Sequence, residues 1–312
     1  FKQKTAYEIK ECDWSSDVCS SDLTDQQVFT AEFPSIDGGG MEKVAKAADR
    51  LRPWFDAVNS TDNAAAHAHA SNLAVAIAIK AHGLEPVMQI AQRDKNRLAV
   101  QADIMGAALH GIENIALMTG DDVTAGDEPE SRRVFDLDGP IAIKVADILR
   151  NGTYLSGRKI TPPPNLFISA VENPGTHPLE YRVDRAIKKQ SAGARWLQLQ
   201  LCFHKDRLEN FCKGVAAYGT NLPLFPNVIL IKGAKGMHFM NENVRGINIP
   251  QELIDRVANA SDPSEEAYQL TLELARHALA QPNVRGLHIT DFRHDETLDR
   301  LMTELGRTRK NG

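Results

Sequence analysis

The chain has 312 residues, of which 42% are hydrophobic and 25% are charged, a balance typical of a water-soluble globular enzyme. The net charge is −5 at pH 7 and the basic residues are scattered, which argues against nucleic acid or an anionic membrane as a partner. No stretch approaches the roughly 20 apolar residues that a membrane-spanning helix needs. The N-terminus also lacks the apolar segment of a secretory signal.

The cysteine and histidine patterns indicate no metal site. The four cysteines contain no CxxC pair, which argues against a zinc or iron–sulfur centre: Cys12, Cys19, Cys202 and Cys212. His67 and His69 form an HxH pattern without a carboxylate or cysteine at ligand spacing, so we interpret them as surface residues. Because nothing indicates a need for disulfides, we expect a reducing, cytoplasmic setting.

Residues 1–23, FKQKTAYEIKECDWSSDVCSSDL, differ from the rest of the chain in having no helix or strand period. The string resembles the peptide translated from a sequencing-adapter remnant, and a natural disordered extension is the alternative. We therefore assign residues 1–23 to a segment outside the fold and residues 24–312 to one catalytic domain.

From residue 24 onward, short apolar runs alternate with longer segments whose apolar residues are spaced three and four apart. The runs predict eight strands: Val28–Phe33, Phe55–Asn59, Pro86–Ile90, Asn114–Met118, Leu166–Val171, Trp196–Leu201, Asn227–Ile231 and Gly286–Thr290. The segments between them predict helices: Met41–Leu51, Ala64–His82, Arg97–Gly111, Pro140–Asn151, Tyr181–Ala192, Lys205–Tyr218 and Ser264–Ala280, with an extra helix at Gln251–Arg256.

Strands and helices in this alternation predict βαβ units and a parallel sheet. The strands are apolar along nearly their whole length, as expected when both faces are buried. Eight repeats favour a single-domain α/β fold, the (β/α)8 TIM barrel, which takes about 250 residues. A doubly wound open sheet is the alternative.

Polar residues follow nearly every predicted strand, at the end of the barrel where active sites lie. They are Glu32, Asn59, Gln89, Asp121, Glu172, Asn173, Gln200, Lys232 and Thr290. Glu32 and the pair Gln198 and Gln200 interrupt otherwise apolar runs. A buried acid or amide costs free energy unless it finds a partner, so a function is the favoured reason for these three.

Glu32 and Asp121 adjoin the apolar runs of the first and fourth strands. Two carboxyl groups in different environments can divide the acid and electrostatic roles of a reaction. Glu32 precedes Phe33 and Pro34, apolar surroundings that suit a proton donor. Asp121 follows a glycine whose exposed backbone would favour the ionised form. On the residues alone, Asp121 can equally be read as the start of a loop.

Seven segments, in their order and spacing, resemble the methylenetetrahydrofolate reductase family over residues 28–305. They are AEFPS (31–35), FDAVNSTDN (55–63), EPVMQIAQRDKNR (85–97), GIENIALMTGD (111–121), NPGTHPLEYR (173–182), KKQSAGARWLQLQ (188–200) and GMHFMNENVRGINIP (236–250). RDKNR and MNENVRGINIP resemble the short bacterial members that consist of the catalytic domain alone.

This resemblance implies a barrel that holds FAD without a Rossmann motif, and the chain indeed contains no GxGxxG. It implies reduction of 5,10-methylenetetrahydrofolate to 5-methyltetrahydrofolate, with NADH or NADPH as the electron donor and ping-pong kinetics at one flavin face. Glu32 matches the general acid that protonates N10 of the folate. Asp121 matches the acid near the flavin and pterin, with catalytic and substrate-binding roles, and Gln200 matches the amide that contacts the pterin.

The resemblance also places a set of FAD contacts, with His177 and Lys189 toward the phosphates or adenosine. They are Asn59, Gln89, Arg97, Thr119, Gly120, Asp121, His177 and Lys189. At three of these positions the chain differs from the enteric family member: Asn59 replaces threonine, Gln89 replaces histidine and Thr119 replaces arginine. These FAD contacts would therefore be made by different side chains.

Two further possibilities stay open at this point. Some short relatives take electrons from a partner protein, and a homo-oligomer is compatible with the sequence. The alternative functions are a pterin-binding methyltransferase barrel without flavin and a partner-dependent or non-catalytic subunit of a one-carbon complex.

Overall fold

The strand that begins the described chain pairs with both the second strand and the last one, so the sheet closes on itself. A computed structural model describes residues 27–310, and the expected foreign segment 1–23 lies outside this range. All eight strand pairings are parallel and follow chain order. The predicted (β/α)8 TIM barrel is therefore confirmed.

The strands are β1 (Val28–Glu32), β2 (Ala57–Ser60), β3 (Pro86–Ala91), β4 (Asn114–Met118), β5 (Phe167–Glu172), β6 (Trp196–Leu199), β7 (Leu224–Leu230) and β8 (Gly286–Asp291). Within residues 27–310 the helices are α1 (Glu42–Leu51), α2 (Asn72–Ala81), α3 (Arg97–Leu109), α4 (Gly139–Arg150), α5 (Leu179–Ala192), α6 (Lys205–Ala217), α7 (Ala234–Asn243), α8 (Gln251–Ala258), α9 (Pro263–Leu279) and α10 (Thr297–Glu304). None of these helices combines the length and apolar character needed to cross a membrane.

The predicted helix Ala64–His82 is wrong in its first half. Ala64–Ala66 form a single 3-10 turn, Ala65 and Ala66 have positive φ, and α2 begins only at Asn72. The alanines favour a helix, but tertiary contacts override that preference. The Ala68 N–H donates to the Asp127 carboxylate at 3.1 Å, which ties this stretch to the loop after β4.

Other differences from the sequence prediction include the start of one strand and two helices that were not predicted. Strand β7 begins at Leu224 rather than Asn227, because Leu224 and Phe225 already pair with β6. The sequence does not predict helix α7, since its glycine and two asparagines weaken the helical pattern. Helix α10 is also absent from the sequence prediction, although Leu298, Leu301 and Met302 give it a buried face.

The inside of the barrel is apolar at one end. Six residues, all but Ala116 the first or second of their strands, form a separate buried cluster: Val28, Ala57, Val87, Ala116, Trp196 and Phe225. The Trp196 and Phe225 rings meet edge to face with centroids 5.0 Å apart, a favoured aromatic geometry. This cluster fills the lower part of the barrel.

Above the apolar cluster the interior becomes polar. Strand residues that pair in register point to the same face of the sheet. The residues that pair with the apolar cluster therefore also point into the barrel, as do the residues that pair with those in turn. This inward layer consists of Thr30, Asn59, Gln89, Ser169, Gln198, Asn227 and His288. Bulky branched residues are usual inside such barrels, so this layer is an exception that needs a reason.

Barrel closure depends on a glycine at the seam between the first and last strands. Gly286 begins β8 in register with Val28 of β1 and has a φ of +153°. A Cβ at this position would lie 1.6 Å from the Val28 carbonyl oxygen, which is backbone and cannot move aside easily.

We expect Gly286→Ala to lower the free energy of unfolding by about 2 kcal/mol or more, because the new methyl group overpacks the seam. Gly39→Ala is the matched control, since a Cβ there meets nothing within 4 Å. Its effect should stay within about 0.5 kcal/mol. Urea unfolding followed by circular dichroism measures both, and equal midpoints for the two variants would refute a tight seam at Gly286.

Candidate active site

A carboxyl group and a histidine meet at the open end of the barrel. Glu32 ends β1 with its side chain 35% exposed, and its Oε2 lies 3.8 Å from Nε2 of His288. His288 is fully buried in β8, and its Nδ1 lies 2.9 Å from the Thr30 hydroxyl. Its Nε2 has no hydrogen-bond partner within the described chain. Thr30, His288 and Glu32 thus form a row that leads from the interior to the mouth.

Sequence reasoning placed Glu32 correctly at a strand end but did not single out His288. The missing signal was register, because His288 of β8 pairs with Thr30 of β1. Once β8 is known to close against β1, a histidine at this position must face the interior beside the acid.

Two buried amides lie deeper in the same mouth. Asn59 is fully buried and Gln198 is 7% exposed, and the Asn59 Nδ2 donates to the Gln198 Oε1 at 2.7 Å. The Asn59 Oδ1 has no partner among residues 27–310, although an unmet buried acceptor costs about 1–3 kcal/mol. The hydrogen bond explains how Gln198 is tolerated in an apolar strand, and the unmet acceptor leaves a polar atom for a ligand.

Two other side-chain amides that we expect to contact flavin or pterin, Gln89 and Gln200, lie near this pair along the strands. Gln89 in β3 is 7% exposed and faces inward with Ala116. Gln200 directly follows β6 and is half-buried, and its side-chain carbonyl accepts the Leu201 N–H at 3.0 Å. Both residues are therefore on the rim or interior at the carboxyl ends of the strands.

Thr119, Gly120 and Asp121 form the exposed start of the loop between β4 and α4. The backbone of this loop is attached to Arg93, whose N–H donates to the Thr119 carbonyl at 2.9 Å and whose Nη1 donates to the Asp121 carbonyl at 3.1 Å. Arg93 itself is buried and pairs with Asp94, and this hydrogen-bonded guanidinium lowers the pKa of Asp94.

Three further residues that we expect to contact FAD lie in different settings. His177 is exposed just before α5. Arg97 begins α3 with its side chain 58% exposed and holds the Asp136 carboxylate with both Nε and Nη2. Lys189 is buried, and its ammonium lies 2.5 Å from the Glu172 carboxylate and 2.6 Å from the Val171 carbonyl.

Burial lowers the pKa of Lys189, although the Glu172 carboxylate opposes this shift. The Lys189 ammonium therefore serves an internal ion pair in the described structure, and its expected contact with FAD stays a prediction. Arg182 and Arg185 approach the same carboxylate at 3.5 and 3.4 Å and are more exposed than Lys189. Sequence reasoning missed these two arginines.

The fold and the mouth together define a class of protein. A parallel (β/α)8 barrel with an acid, a histidine and unmet amides at its carboxyl-terminal face has the architecture in which barrel enzymes carry their active sites. Among the described residues, no group of three or more His, Cys, Asp or Glu side chains could hold a metal ion. The chain belongs to the methylenetetrahydrofolate reductase family, whose model matches residues 20–306.

Two solved structures share the fold at low sequence identity. An uncharacterized protein from Clostridium thermocellum that binds two copies of 5-methyl-5,6,7,8-tetrahydrofolic acid is 14% identical, with a TM-score of 0.63 over 91% of this chain and 96% of that one. An EDTA monooxygenase from Chelativorans sp. BNC1 is 9% identical, with a TM-score of 0.52 over 90% of this chain and 93% of that one. Both likenesses concern the fold.

The Asn59–Gln198 hydrogen bond predicts energetic coupling across the barrel. We expect Asn59→Ala and Gln198→Ala each to lower the free energy of unfolding by about 1–3 kcal/mol. The double variant should lose less than the sum, by about 1 kcal/mol, because the second change no longer leaves an amide unpaired.

The matched control is the exposed pair Gln251 and Asp255, whose side chains are hydrogen-bonded at 2.8 Å. Its coupling should stay within about 0.5 kcal/mol. Urea unfolding of the single and double variants of each pair gives the two coupling energies. Strictly additive effects for Asn59 and Gln198 would show that the two amides do not interact.

Proposed function

We propose that this chain reduces 5,10-methylenetetrahydrofolate to 5-methyltetrahydrofolate, with FAD as redox cofactor and NADH or NADPH as electron donor. The observation that carries the proposal is Glu32, which the sequence resemblance matches to the general acid, at the mouth of the barrel with His288 3.8 Å away. The Clostridium thermocellum protein of the same fold binds 5-methyl-5,6,7,8-tetrahydrofolic acid, so a barrel of this type can hold the product that we propose.

The residues at the mouth suit a flavin ring. A flavin offers hydrogen-bond donors and acceptors along one ring edge, and the interior layer offers amides together with the unmet Asn59 Oδ1. FAD supplies the hydride-transfer chemistry when bound. The residues that would hold it are Asn59, Gln89, Thr119, Gly120 and Asp121 on the ring side, with Arg97 and His177 toward the phosphates. Lys189 already uses two of its three N–H donors on Glu172 and the Val171 carbonyl.

Glu32 would provide the proton that opens the methylene bridge of the folate. Protonation of N10 makes the amine a better leaving group and leaves a positive charge at the N5 side of the opened bridge. The Glu32 carboxyl is open to the mouth on one side and faces the imidazole on the other. A general acid must be within hydrogen-bond reach of its target in the bound complex, which a rim position permits.

His288 would orient Glu32. If Nε2 carries the hydrogen, the imidazole faces Glu32 with a donor while the Thr30 hydroxyl donates to Nδ1 at 2.9 Å. This arrangement would fix the carboxyl on the side of the folate, and the partly exposed Glu32 would regain its proton from solvent after each turnover. Asp121 would stabilise the positive charge on the opened folate through its carboxylate.

One opening would serve both substrates. The amino-terminal end of the barrel is filled by the apolar cluster around Trp196 and Phe225, so ligands would enter from the carboxyl-terminal end. Two substrates that use the same opening in turn give ping-pong kinetics. The nicotinamide would therefore leave before the folate binds.

We expect Glu32→Gln to slow reoxidation of the reduced flavin by methylenetetrahydrofolate by about 100-fold or more, because the amide cannot donate the required proton. Reduction of the flavin by NADH needs no proton from Glu32 and should keep its rate within a few-fold. Stopped-flow measurement of flavin absorbance separates the two half-reactions.

Glu42→Gln is the control, since this glutamate is exposed in the first turn of α1. Both half-reactions should match the wild-type rates in that variant. Equal loss of both half-reactions in Glu32→Gln would mean that Glu32 holds the flavin in place and is not the acid.

A further inference from the structure

A single buried arginine joins three loops at the mouth of the barrel. Arg93 lies in the turn after β3, with its side chain 6% exposed. Its Nε and Nη2 hold the two Asp94 oxygens at 2.7 and 2.5 Å, and Nη2 also donates to the Asn63 carbonyl at 3.3 Å. Its Nη1 donates to the Asp121 carbonyl at 3.1 Å. The guanidinium therefore connects the loops that follow β2, β3 and β4.

The backbone of Arg93 holds the β4–α4 loop at two more points. The Arg93 N–H donates to the Thr119 carbonyl at the start of the loop, and the Arg93 carbonyl accepts the Val134 N–H near its end. The intervening Asp122 is bound by Arg133 within the same loop. The loop is thus closed on itself and attached at Arg93, in addition to the contacts of Asp127 with Ala68 and of Asp136 with Arg97.

The position of the Asp121 carboxylate depends on this attachment. Within residues 27–310, the hydrogen bond described for Asp121 involves its backbone carbonyl, and its side chain is exposed. The preceding Gly120 has a φ of +86°, and a Cβ there would lie 3.1 Å from Ala91 Cβ and 3.6 Å from Arg93 Nη1. The peptide that carries Asp121 therefore rests directly on Arg93.

We propose that Arg93 is a positioning residue for Asp121: it fixes the β4–α4 loop so that the Asp121 carboxylate faces the folate. This inference rests on the proposed function. A carboxylate that stabilises a developing charge loses its effect as distance grows, and a misplacement of about 1 Å can cost 100-fold in rate. The planar, five-donor guanidinium of Arg93 makes four hydrogen bonds at once, which the three-donor ammonium of a lysine cannot do.

The test compares Arg93→Lys with wild-type holoenzyme in the two half-reactions. Lysine keeps the positive charge but lacks the planar, forked arrangement of N–H donors that the guanidinium has. We expect the folate half-reaction to slow about 10-fold or more through kcat, while flavin reduction by NADH changes less than about threefold. In an Asp121→Asn background, Arg93→Lys should add less than a twofold loss, because the carboxylate that it positions is already absent.

Two controls separate positioning from stability. Arg300→Lys changes another forked pair, in which Arg300 of α10 holds Glu265 of α9 at 2.7 and 2.8 Å, and it should leave both half-reactions unchanged. Asp94→Asn leaves Arg93 in place but removes its ion partner, and it should produce a smaller loss of the same kind. It serves as the working variant if Arg93→Lys does not fold.

Hydrogen exchange provides a readout that does not depend on catalysis. Amides of residues 119–134 should exchange faster in Arg93→Lys than in Arg300→Lys. Unchanged exchange, an unchanged folate half-reaction, or a full additional loss in the Asp121→Asn background would each overturn the positioning role. Wild-type holoenzyme that never reduces folate would instead refute the proposed function, and the exchange measurement would still test the attachment of the loop.

Discussion

Closure of a parallel sheet is the constraint on which the rest of this molecule depends. Because β1 pairs with β8 and every strand is parallel, the carboxyl ends of all eight strands meet at one rim. Residues far apart in the chain become neighbours there: Glu32 lies beside His288, and Asn59 binds Gln198. The apolar cluster at the opposite end supports this rim from below. A substitution at the seam therefore affects the site as well as the fold.

The polar layer above the apolar cluster has a cost that the fold alone does not require. The unmet Asn59 Oδ1 and His288 Nε2 are buried in an environment where each missing partner costs about 1–3 kcal/mol. Such exceptions to the packing rules are expected where a protein has a function to perform. If the proposed function is correct, a ligand group meets the Asn59 Oδ1, while the His288 Nε2 faces Glu32 at 3.8 Å.

Much of the barrel could be predicted from the sequence because its signals are local. Each strand is a short apolar run and most helices have a clear period, so the order of elements and the end that carries the site follow directly. Glu32 and Gln198 stood out for the same reason, as polar residues within apolar runs. The helix that begins at Ala64 failed because contacts with Asp127, distant in the chain, decide that conformation.

The remaining features depend on partners that no local pattern contains. His288 acquires its role from Thr30 and Glu32 across the closing seam. Lys189 resembles a phosphate-binding cation in the sequence, yet the fold places it against Glu172. Arg93 has the pattern of an exposed residue at a helix entry, and only the convergence of three loops makes it buried.

The central claim is that this barrel passes electrons from a nicotinamide to a folate through bound FAD. The most direct test is the visible spectrum of the purified protein before and after NADH, followed by methylenetetrahydrofolate. We expect a yellow protein that NADH bleaches and that the folate restores to yellow. A colourless protein that still binds folate would contradict the claim and favour a methyltransferase, and a yellow protein that NADH leaves unchanged would contradict the proposed electron donor.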